Sequence, residues 1–413
     1  MSNVEAHPAQ VLCRGEGLPG PRSECAGGAE VELIEAREVP LGGPRAMTVR
    51  RTLPQRQRSL IGAWCFFDHY GPDDVAATGG MDVAPHPHTG LQTVSWLFDG
   101  AIAHIDSGGG RGTVLPGEIN LMTAGTGICH SETSTQDTQT LHGVQLWLAL
   151  PDAVRGTLGR AFEHFEPEPV PLARASAGDS DTGSSDAGAS DGGAPGAGDS
   201  DRAVDGSPAG EALVFIGSLL GRTSPISVYS PLVGAQLRLE PGAVVDLAVD
   251  PSFEHGLLLD SGAVALEGVE IPRAGLAYTG VGSQSLRIAN LGEEPALLVL
   301  IGGQPFGEEI VMWWNFVGRD SQEIARYRAE WEAHGERFGE VDGYVGHLGP
   351  GRSKDGLARL PAPALPDVEL RPRRNPPPSA QRPALPDPAA HPRSRWSRRG
   401  DSPEWRFPWP MTS

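Results

Sequence analysis

The chain of 413 residues has few cysteines, a single lysine and no long apolar run. Four cysteines in a chain of this length do not make the dense disulfide framework of small secreted proteins. No stretch approaches the roughly 20 apolar residues of a membrane-spanning helix, and the first 21 residues lack the apolar core of a secretory signal. We therefore expect a protein of the reducing cytoplasm without a membrane span. The cysteines are Cys13, Cys25, Cys65 and Cys129.

Positive charge is also scarce. Lysine and arginine together number 33 against 52 aspartates and glutamates, which gives a formal net charge of −19. Binding to nucleic acid depends on basic side chains that neutralise phosphates, so we do not expect a nucleic-acid partner.

Three segments rich in glycine, proline or aspartate divide the chain. Such segments bury too little apolar surface to offset the entropy lost on ordering, so we expect them to be disordered. They are a flexible N-terminal arm (1–30), an Asp/Gly/Ser-rich linker (169–210) and a Pro/Arg-rich tail (341–413). The tail carries tryptophans among arginines, a composition that can grip phosphate or a membrane surface, but loose contact with the acidic body is the favoured interpretation.

Two blocks of short apolar runs, residues 31–168 and 211–340, lie between these segments. Many short strands separated by turn residues are typical of an all-β sandwich or barrel. Near the end of the second block, Asp320 and Glu323 form a capping box ahead of an apolar stripe at helical spacing. We predict a short helix packed on the second barrel. Its stripe is Ile324, Tyr327 and Trp331.

Histidine is concentrated in one region, since six of the 12 histidines lie between residues 69 and 142. His86 and His88 are two residues apart in strand-like sequence, so their side chains share one face. If residues 86–100 form one strand, the same face carries Trp96 and is the buried one. Two imidazoles inside a barrel are costly unless they are hydrogen-bonded or bind a metal.

A second pair, His130 and Glu132, has the same spacing and follows a glycine-rich turn. If its strand pairs with the first, four donors meet. Three imidazoles and one carboxylate leave open positions on a six-coordinate ion, which suits iron, manganese, nickel or copper and is compatible with zinc. One His-x-His motif alone is weak evidence for a metal site, but two pairs of potential ligands at this spacing, each behind a turn, favour one. The four donors are His86, His88, His130 and Glu132.

Four motifs resemble the pirin family of the cupin superfamily. They are FDHYGP (67–72), HPHTGLQTVSWLFDG (86–100), LPGEINLMTAGTGICHSE (115–132) and HGVQLWLAL (142–150). The resemblance spans about residues 31–168, and residues 301–331 resemble the family's second half. It implies two jelly-roll β-barrels in tandem, a metal-binding cupin over 31–168 and a cupin without metal over 211–340.

The resemblance also implies a site and an activity. The family's ligands fall on His86, His88, His130 and Glu132, around one divalent ion for which Fe(II) is expected. Bacterial relatives imply quercetin (flavonol) dioxygenase activity, with a planar aromatic substrate, O₂ and Glu132 as the catalytic base. Animal relatives imply the alternative, an iron-binding, redox-responsive regulator that acts through protein partners without catalysis. A metal-dependent isomerase or lyase stays open, because a fold does not fix chemistry.

The chain departs from the family at three positions. Thr89 and Thr126 stand where many relatives have arginine, and Gln92 stands where many cupins have a metal-binding glutamate. The loss of two guanidiniums affects ligand orientation and the binding of an anionic substrate. Glu132 is then the residue that must supply the carboxylate.

Three residues near the motifs are candidates for hydrogen bonds to the metal ligands, namely Asp68, His69 and Gln92. For Asp68 and His69, a turn held by hydrogen bonds is an equal alternative. The side chain of Cys129 is expected to point away from the metal as a buried, inert thiol. Three further histidines are expected to be structural: His104, His142 and His255.

Overall fold

A computed structural model describes residues 29–41, 47–175, 208–372 and 375. The arm before residue 29, the linker from 176 to 207 and the tail beyond residue 375 lie outside the described residues, so the disorder expected there stays a prediction. The elements up to the linker are β1 (Val31–Ile34), β2 (Arg37–Leu41), β3 (Met47–Leu53), β4 (Trp64–Asp74), α1 (Val75–Thr78), β5 (Asp82–His88), β6 (Leu91–Asp99), β7 (Ile102–Asp106), β8 (Arg111–Val114), β9 (Ile119–Thr123), β10 (Ile128–Ser134), β11 (Thr140–Ala149), α2 (Asp152–Arg155), β12 (Ala161–Phe165) and β13 (Val170–Leu172).

The elements after the linker are β14 (Gly210–Leu219), β15 (Arg222–Thr223), β16 (Leu232–Leu239), β17 (Val244–Ala248), β18 (Glu254–Ser261), β19 (Val264–Leu266), β20 (Val269–Ile271), β21 (Leu276–Thr279), β22 (Ser285–Asn290), β23 (Ala296–Gly303), β24 (Val311–Trp313), β25 (Phe316–Gly318), α3 (Ser321–Glu332), β26 (Val345–Gly346) and β27 (Gly349–Pro350).

Each domain is a pair of antiparallel sheets around an apolar core. In the N-terminal domain, a seven-stranded sheet (β12-β9-β6-β11-β4-β3-β2) lies over a four-stranded sheet (β5-β10-β7-β8). In the C-terminal domain, the order β1-β21-β18-β23-β16-β14-β13, with β15 beside β14, forms the large sheet over β17-β22-β19-β20. The predicted all-β fold of two domains with a C-terminal helix is confirmed.

The large sheets of the two domains share a third core between them. Trp96 of β6 lies against Phe215 of β14 with ring centroids 4.6 Å apart, and its indole Nε1 donates to Gln236 Oε1 across 2.9 Å. Apolar residues of β4, β6, β9 and β11 join residues of β14, β18 and β23 in one buried cluster. β6 is therefore buried on both faces from Leu91 to Leu97, although its sequence still alternates apolar and polar residues.

The domain boundaries differ from those expected at two short strands. β1, predicted to belong to the N-terminal domain, pairs with β21 of the C-terminal sheet, with Val31 opposite Thr279. β13, predicted to lie in a disordered linker, pairs with β14, with Leu172 opposite Gly210. Both strands cover an edge of the large C-terminal sheet, where unpaired backbone groups would otherwise be exposed.

The run from residue 86 to 100 is two strands and not the single strand assumed from the sequence. Gly90 lies between β5 and β6 with φ of +69°, and a Cβ at this position would come within 2.3 Å of the Val317 carbonyl oxygen. The chain therefore passes from the small sheet to the large one at a glycine. As a result, Trp96 faces the core between the domains, while Ser95 faces the site described below.

The C-terminal helix is confirmed over the predicted residues, but its apolar stripe packs with β24, β25 and Cys129 of the N-terminal small sheet and not on the second barrel. Asp320 is the N-cap of α3 and accepts a hydrogen bond from the Glu323 amide across 2.8 Å. The predicted stripe of Ile324, Tyr327 and Trp331 is buried.

Beyond this helix, residues 341–372 form the C-terminal strap, which lies along β5 at the edge of its sheet. Here the structure differs from the expectation of a tail disordered from residue 341, because the strap is hydrogen-bonded to the N-terminal domain. The buried carboxylate of Asp82 accepts three hydrogen bonds from it, and the Leu360 amide donates to the Pro85 carbonyl across 2.9 Å. The donors to Asp82 are the Tyr344 hydroxyl and the backbone amides of His347 and Lys354.

Candidate metal centre

The two predicted ligand strands are neighbours in the small sheet of the N-terminal domain. β5 pairs antiparallel with β10, and His86 lies directly opposite His130. Opposed residues of an antiparallel pair have Cβ atoms about 4.5–5.5 Å apart, so their imidazoles can reach a common point. The sequence prediction that these strands meet is confirmed.

Three buried imidazoles converge between the two sheets. The ring centroid of His130 lies 4.2 Å from that of His86 and 5.0 Å from that of His88, and the His86 and His88 centroids are 5.1 Å apart. One ring nitrogen from each of the three lies within 4.8 Å of the others. The indole of Trp147 packs edge-on against His88 with centroids 5.1 Å apart. The three rings thus form one compact donor group with an aromatic wall beside it.

Burial keeps these imidazoles neutral. It lowers the pKa of His86 to about 4 and, together with the neighbouring histidines, holds the pKa of His88 and His130 well below the ordinary value. A metal ion binds only the unprotonated nitrogen of an imidazole. The three rings are therefore in the form that can ligate at neutral pH.

Hydrogen bonds orient two of the three rings. Nδ1 of His86 donates to the Ala84 carbonyl oxygen across 2.9 Å, which leaves Nε2 with its lone pair. Nδ1 of His130 lies 3.3 Å from Nδ1 of His104, and Nε2 of His104 lies 3.0 Å from a carboxylate oxygen of Asp106. The residue that contacts Nδ1 of His130 is thus supplied by β7, which pairs with β10 on the side opposite to β5.

His104 and Asp106 were not assigned to the site from the sequence, although their spacing carried a usable signal. They are two residues apart on a strand, as are both predicted pairs, and they lie opposite Glu132 and His130 on β10. Burial acts to raise the pKa of Asp106, but hydrogen bonds from His104 and from two backbone amides lower it overall. The Asp106 carboxylate is therefore charged and holds the His104 ring.

Glu132 lies beside this donor group and has partners of its own. Its Oε1 accepts a hydrogen bond from Ser95 Oγ across 3.0 Å, and Ser95 Oγ lies 3.0 Å from Gln145 Oε1. A carboxylate oxygen of Glu132 and one ring nitrogen each of His104 and His130 lie within 4.8 Å of one another. The structure therefore brings Glu132 next to His130, on the side where His104 lies.

The chemistry of these donors fits a transition metal. Within the described residues, Nε2 of His86, of His88 and of His130 has no hydrogen-bond partner. A buried polar atom without a partner costs about 1–3 kcal/mol, and a cation among the three nitrogens would remove that cost. Three imidazoles with a carboxylate alongside suit a borderline divalent ion such as iron, manganese, nickel, copper or zinc.

The residues predicted to orient the ligands form their hydrogen bonds elsewhere. Asp68 forms a buried ion pair with Arg51, with Oδ1 2.6 Å from Nε and Oδ2 2.7 Å from Nη2. Gln92 donates to Thr123 Oγ1 across 2.9 Å and to a backbone carbonyl of the C-terminal domain. His69 contacts Asp260 of the C-terminal domain, as described next. Gln92 shares the face of β6 that carries Trp96 and is turned to the C-terminal domain, whereas Ser95 on the opposite face reaches Glu132.

A second group of potential metal donors lies between the domains. Oδ1 of Asp260 is 2.7 Å from His69 Nε2 and 2.6 Å from His142 Nε2, while Arg50 Nε donates to His69 Nδ1 across 3.1 Å. Because Nδ1 of His69 accepts this bond, its hydrogen lies on Nε2, which is then a donor and not a ligand. This group therefore acts as a hydrogen-bonded bridge between the domains, and His142 is a satisfied polar group as predicted.

Cys129 and His255 are both buried. Burial raises the pKa of Cys129 to about 12, and the side chain packs with Trp313 and Phe316 on the outer face of the small sheet, as predicted for an inert thiol. Burial lowers the pKa of His255 to about 4. That the C-terminal domain holds no metal stays a prediction.

The two threonines noted in the sequence, Thr89 and Thr126, contact later segments of the chain, and Thr126 lies next to guanidiniums. Thr126 accepts a hydrogen bond at its carbonyl from Arg337 Nη1 across 3.1 Å, and the next residue, Gly127, accepts one from Arg160 Nε across 2.7 Å. Thr89 accepts a hydrogen bond at its backbone carbonyl from the Val317 amide of β25 across 3.0 Å. These threonines are therefore held by segments near the C-terminus of the described chain.

Comparison with known proteins agrees with this architecture. The Pirin family model matches residues 46–148, and the model of the pirin C-terminal cupin domain matches residues 234–339. Together they span both ligand strands and both domains. The chain belongs to the pirin family. A pirin-like protein of Caulobacter vibrioides is 30% identical over 75% of this chain and 96% of that protein.

Two further relatives of this pirin carry names that state an activity. A Pseudomonas aeruginosa protein named "Putative quercetin 2,3-dioxygenase PA1205" is 38% identical over 81% of this chain and 91% of its own length. A crystal structure described as quercetin 2,3-dioxygenase from Acinetobacter baumannii is 33% identical, with a TM-score of 0.67 over 83% of this chain and 97% of that one. Among the described residues, no helix of this pirin is long and apolar enough to cross a membrane.

Proposed function

We propose that this pirin is a metal-dependent dioxygenase that cleaves flavonols such as quercetin, with Fe(II) as its ion. The observation that carries the proposal is the convergence of three buried, unpaired imidazole nitrogens from β5 and β10. The names of the two relatives above support the substrate class. The ligands would be His86, His88 and His130, with Glu132 as the fourth.

Iron in this site would supply a Lewis acid for an anionic substrate oxygen and the redox chemistry of O₂. The protein's own residues bind and orient the substrate. Glu132 would accept the proton of the flavonol 3-hydroxyl, and the hydrogen bond from Ser95 fixes the direction of its carboxylate. The indole of Trp147, which is stacked on Phe66 with centroids 4.0 Å apart, lies beside His88 and gives that side of the ligand group an aromatic wall.

The test is O₂ uptake with quercetin by protein reconstituted with Fe(II). We expect one O₂ consumed for each flavonol in the wild type and loss of uptake in His88→Ala and Glu132→Gln. His334→Ala, which removes an exposed imidazole, is the matched control and should retain uptake. Elemental analysis beside His86→Ala measures the metal separately, and the variant should lose it.

Two results would contradict the proposal. Protein that carries a full equivalent of iron but consumes no O₂ with any flavonol would reject catalysis and leave the alternative, a redox-responsive regulator with a protein partner. Equal metal content in the wild type and His86→Ala would reject the site itself. Residence in the cytoplasm stays a prediction from the sequence, to be checked by cell fractionation.

A further inference from the structure

We propose that Asp106 and His104 are positioning residues that fix the tautomer of His130 and so present its Nε2 lone pair to the metal. This inference rests on the metal centre proposed above and concerns residues on β7, outside the expected ligand set. It is carried by two contacts in series. Asp106 Oδ2 lies 3.0 Å from His104 Nε2, and His104 Nδ1 lies 3.3 Å from His130 Nδ1.

The direction of each hydrogen bond follows from the donors available. A carboxylate only accepts, so the hydrogen of a neutral His104 lies on Nε2 and its Nδ1 carries a lone pair. That lone pair faces His130 Nδ1, which must then be the donor. A neutral imidazole has one hydrogen, so His130 Nε2 is left with a lone pair. Nε2 is the nitrogen of His130 that has no partner among the described residues.

The arrangement is held firmly at both ends. The second oxygen of Asp106, Oδ1, accepts the backbone amides of Gly108 and Gly110 across 2.7 and 2.9 Å, so the carboxylate cannot rotate without losing two hydrogen bonds. The Phe162 ring stacks on His104 with centroids 4.6 Å apart and an interplanar angle of 15°. The carboxylate and the imidazole are therefore both oriented by contacts within the protein itself.

This geometry gives Asp106→Asn a specific consequence. The amide oxygen of the new side chain would keep the two glycine amides, which places its NH₂ group against His104 Nε2. His104 would then accept at Nε2 and carry its hydrogen on Nδ1, facing His130. His130 in turn would carry its hydrogen on Nε2, where the metal should bind. An isosteric change would thus reverse both tautomers.

The test is Zn²⁺ affinity measured by competition with a chelator, together with the absorption spectrum of the Co²⁺ form. A hydrogen bond to the ring nitrogen of a ligating histidine that does not bind the metal typically raises metal affinity 10–100-fold. We expect about that loss in Asp106→Asn and a smaller loss in Asp106→Ala, because water can still accept from His104. Asp106→Glu should recover part of the loss. The control for loss of one negative charge is Asp137→Asn at an exposed position.

The order of the variants separates positioning from simple support of the loop. If Asp106→Ala binds Zn²⁺ more weakly than Asp106→Asn, Asp106 supports metal binding by holding the loop of Gly108 and Gly110 and not by fixing the tautomer of His130, and the proposal is wrong. It is equally wrong if Asp106→Asn matches the wild type. A wild type that binds no Zn²⁺ overturns the metal centre as well, whereas normal Zn²⁺ binding by both proteins overturns only the positioning role.

A spectroscopic measurement gives a second, independent decision. In the Zn²⁺-loaded protein, long-range ¹H–¹⁵N spectra of the imidazoles should show His104 with its hydrogen on Nε2 and His130 with its hydrogen on Nδ1. Binding of a second Zn²⁺ per chain that is lost in His104→Gln would contradict the proposal, because His104 would then be a ligand.

Discussion

Asp68→Asn should weaken the fold and leave metal binding intact. Asp68 and Arg51 make two short hydrogen bonds, and their side chains are 0% and 2% exposed. The Arg51 guanidinium also lies 4.3 Å above the Phe66 ring. Replacing Asp68 removes the carboxylate that faces the buried Arg51 guanidinium, and breaking a buried ion pair in this way costs about 3–5 kcal/mol. At roughly 2–4 °C per kcal/mol for a domain of this size, the melting temperature should fall by about 10 °C.

The assay is urea unfolding followed by tryptophan fluorescence, with Zn²⁺ affinity measured in parallel. Asp246→Asn is the control, since it breaks an exposed pair with Arg287 and should cost about 0–1 kcal/mol. The double variant Arg51→Met/Asp68→Leu removes both charges and should recover most of the lost stability. Unchanged stability together with a Zn²⁺ affinity more than about threefold lower would refute this reasoning and restore Asp68 as a residue that orients the ligands.

Three further predictions concern the interface and the turn. Burial lowers the pKa of His69, so as the pH falls below about 6.5 the unfolded chain takes up the proton before the folded chain does, and folding stability decreases. Urea unfolding at pH 7 and at pH 5 should therefore show a smaller decrease in stability for His69→Gln than for the wild type, and an equal decrease would contradict this prediction. Trp96→Phe removes the hydrogen bond to Gln236 and part of a buried ring and should cost about 1–3 kcal/mol in urea unfolding, whereas no cost would mean that the domains are not coupled there. Gly90→Ala forces a side chain into φ of +69° and against the Val317 carbonyl; it should lower stability by more than about 1 kcal/mol, and a melting temperature equal to the wild type would contradict the turn geometry.

The ligand strands could be predicted from the sequence because their information is local. His86 and His88 share a face at a spacing of two residues, and so do His130 and Glu132, and each pair follows a turn. The two pairs of residues meet if their strands are neighbours in one sheet, and β5 and β10 are such neighbours. The argument that His86 and His88 share a face did not depend on the residues after Gly90, so it survived the error about strand length. The argument that this face is buried relied on Trp96, which lies after Gly90 and faces the core between the domains.

The partners of Asp68 and His69 could not be predicted in this way. Asp260, which binds His69, lies 191 residues away in the chain and in the other domain. A pattern within one strand tells which residues share a face, but not which element packs on that face. For the same reason, nothing local shows that β1 joins the C-terminal sheet or that β6 is buried on both sides.

The contact between the C-terminal strap and β5 has a consequence for the order in which the strand that carries His86 and His88 is completed during synthesis of the chain. It lies beyond residue 339, where the match to the pirin C-terminal cupin ends, yet it fastens the first residue of the strand that bears His86 and His88. A nascent chain exposes β5 long before Tyr344 has left the ribosome. The outer edge of that strand therefore gains the hydrogen bonds of the strap only after most of the chain has been synthesised.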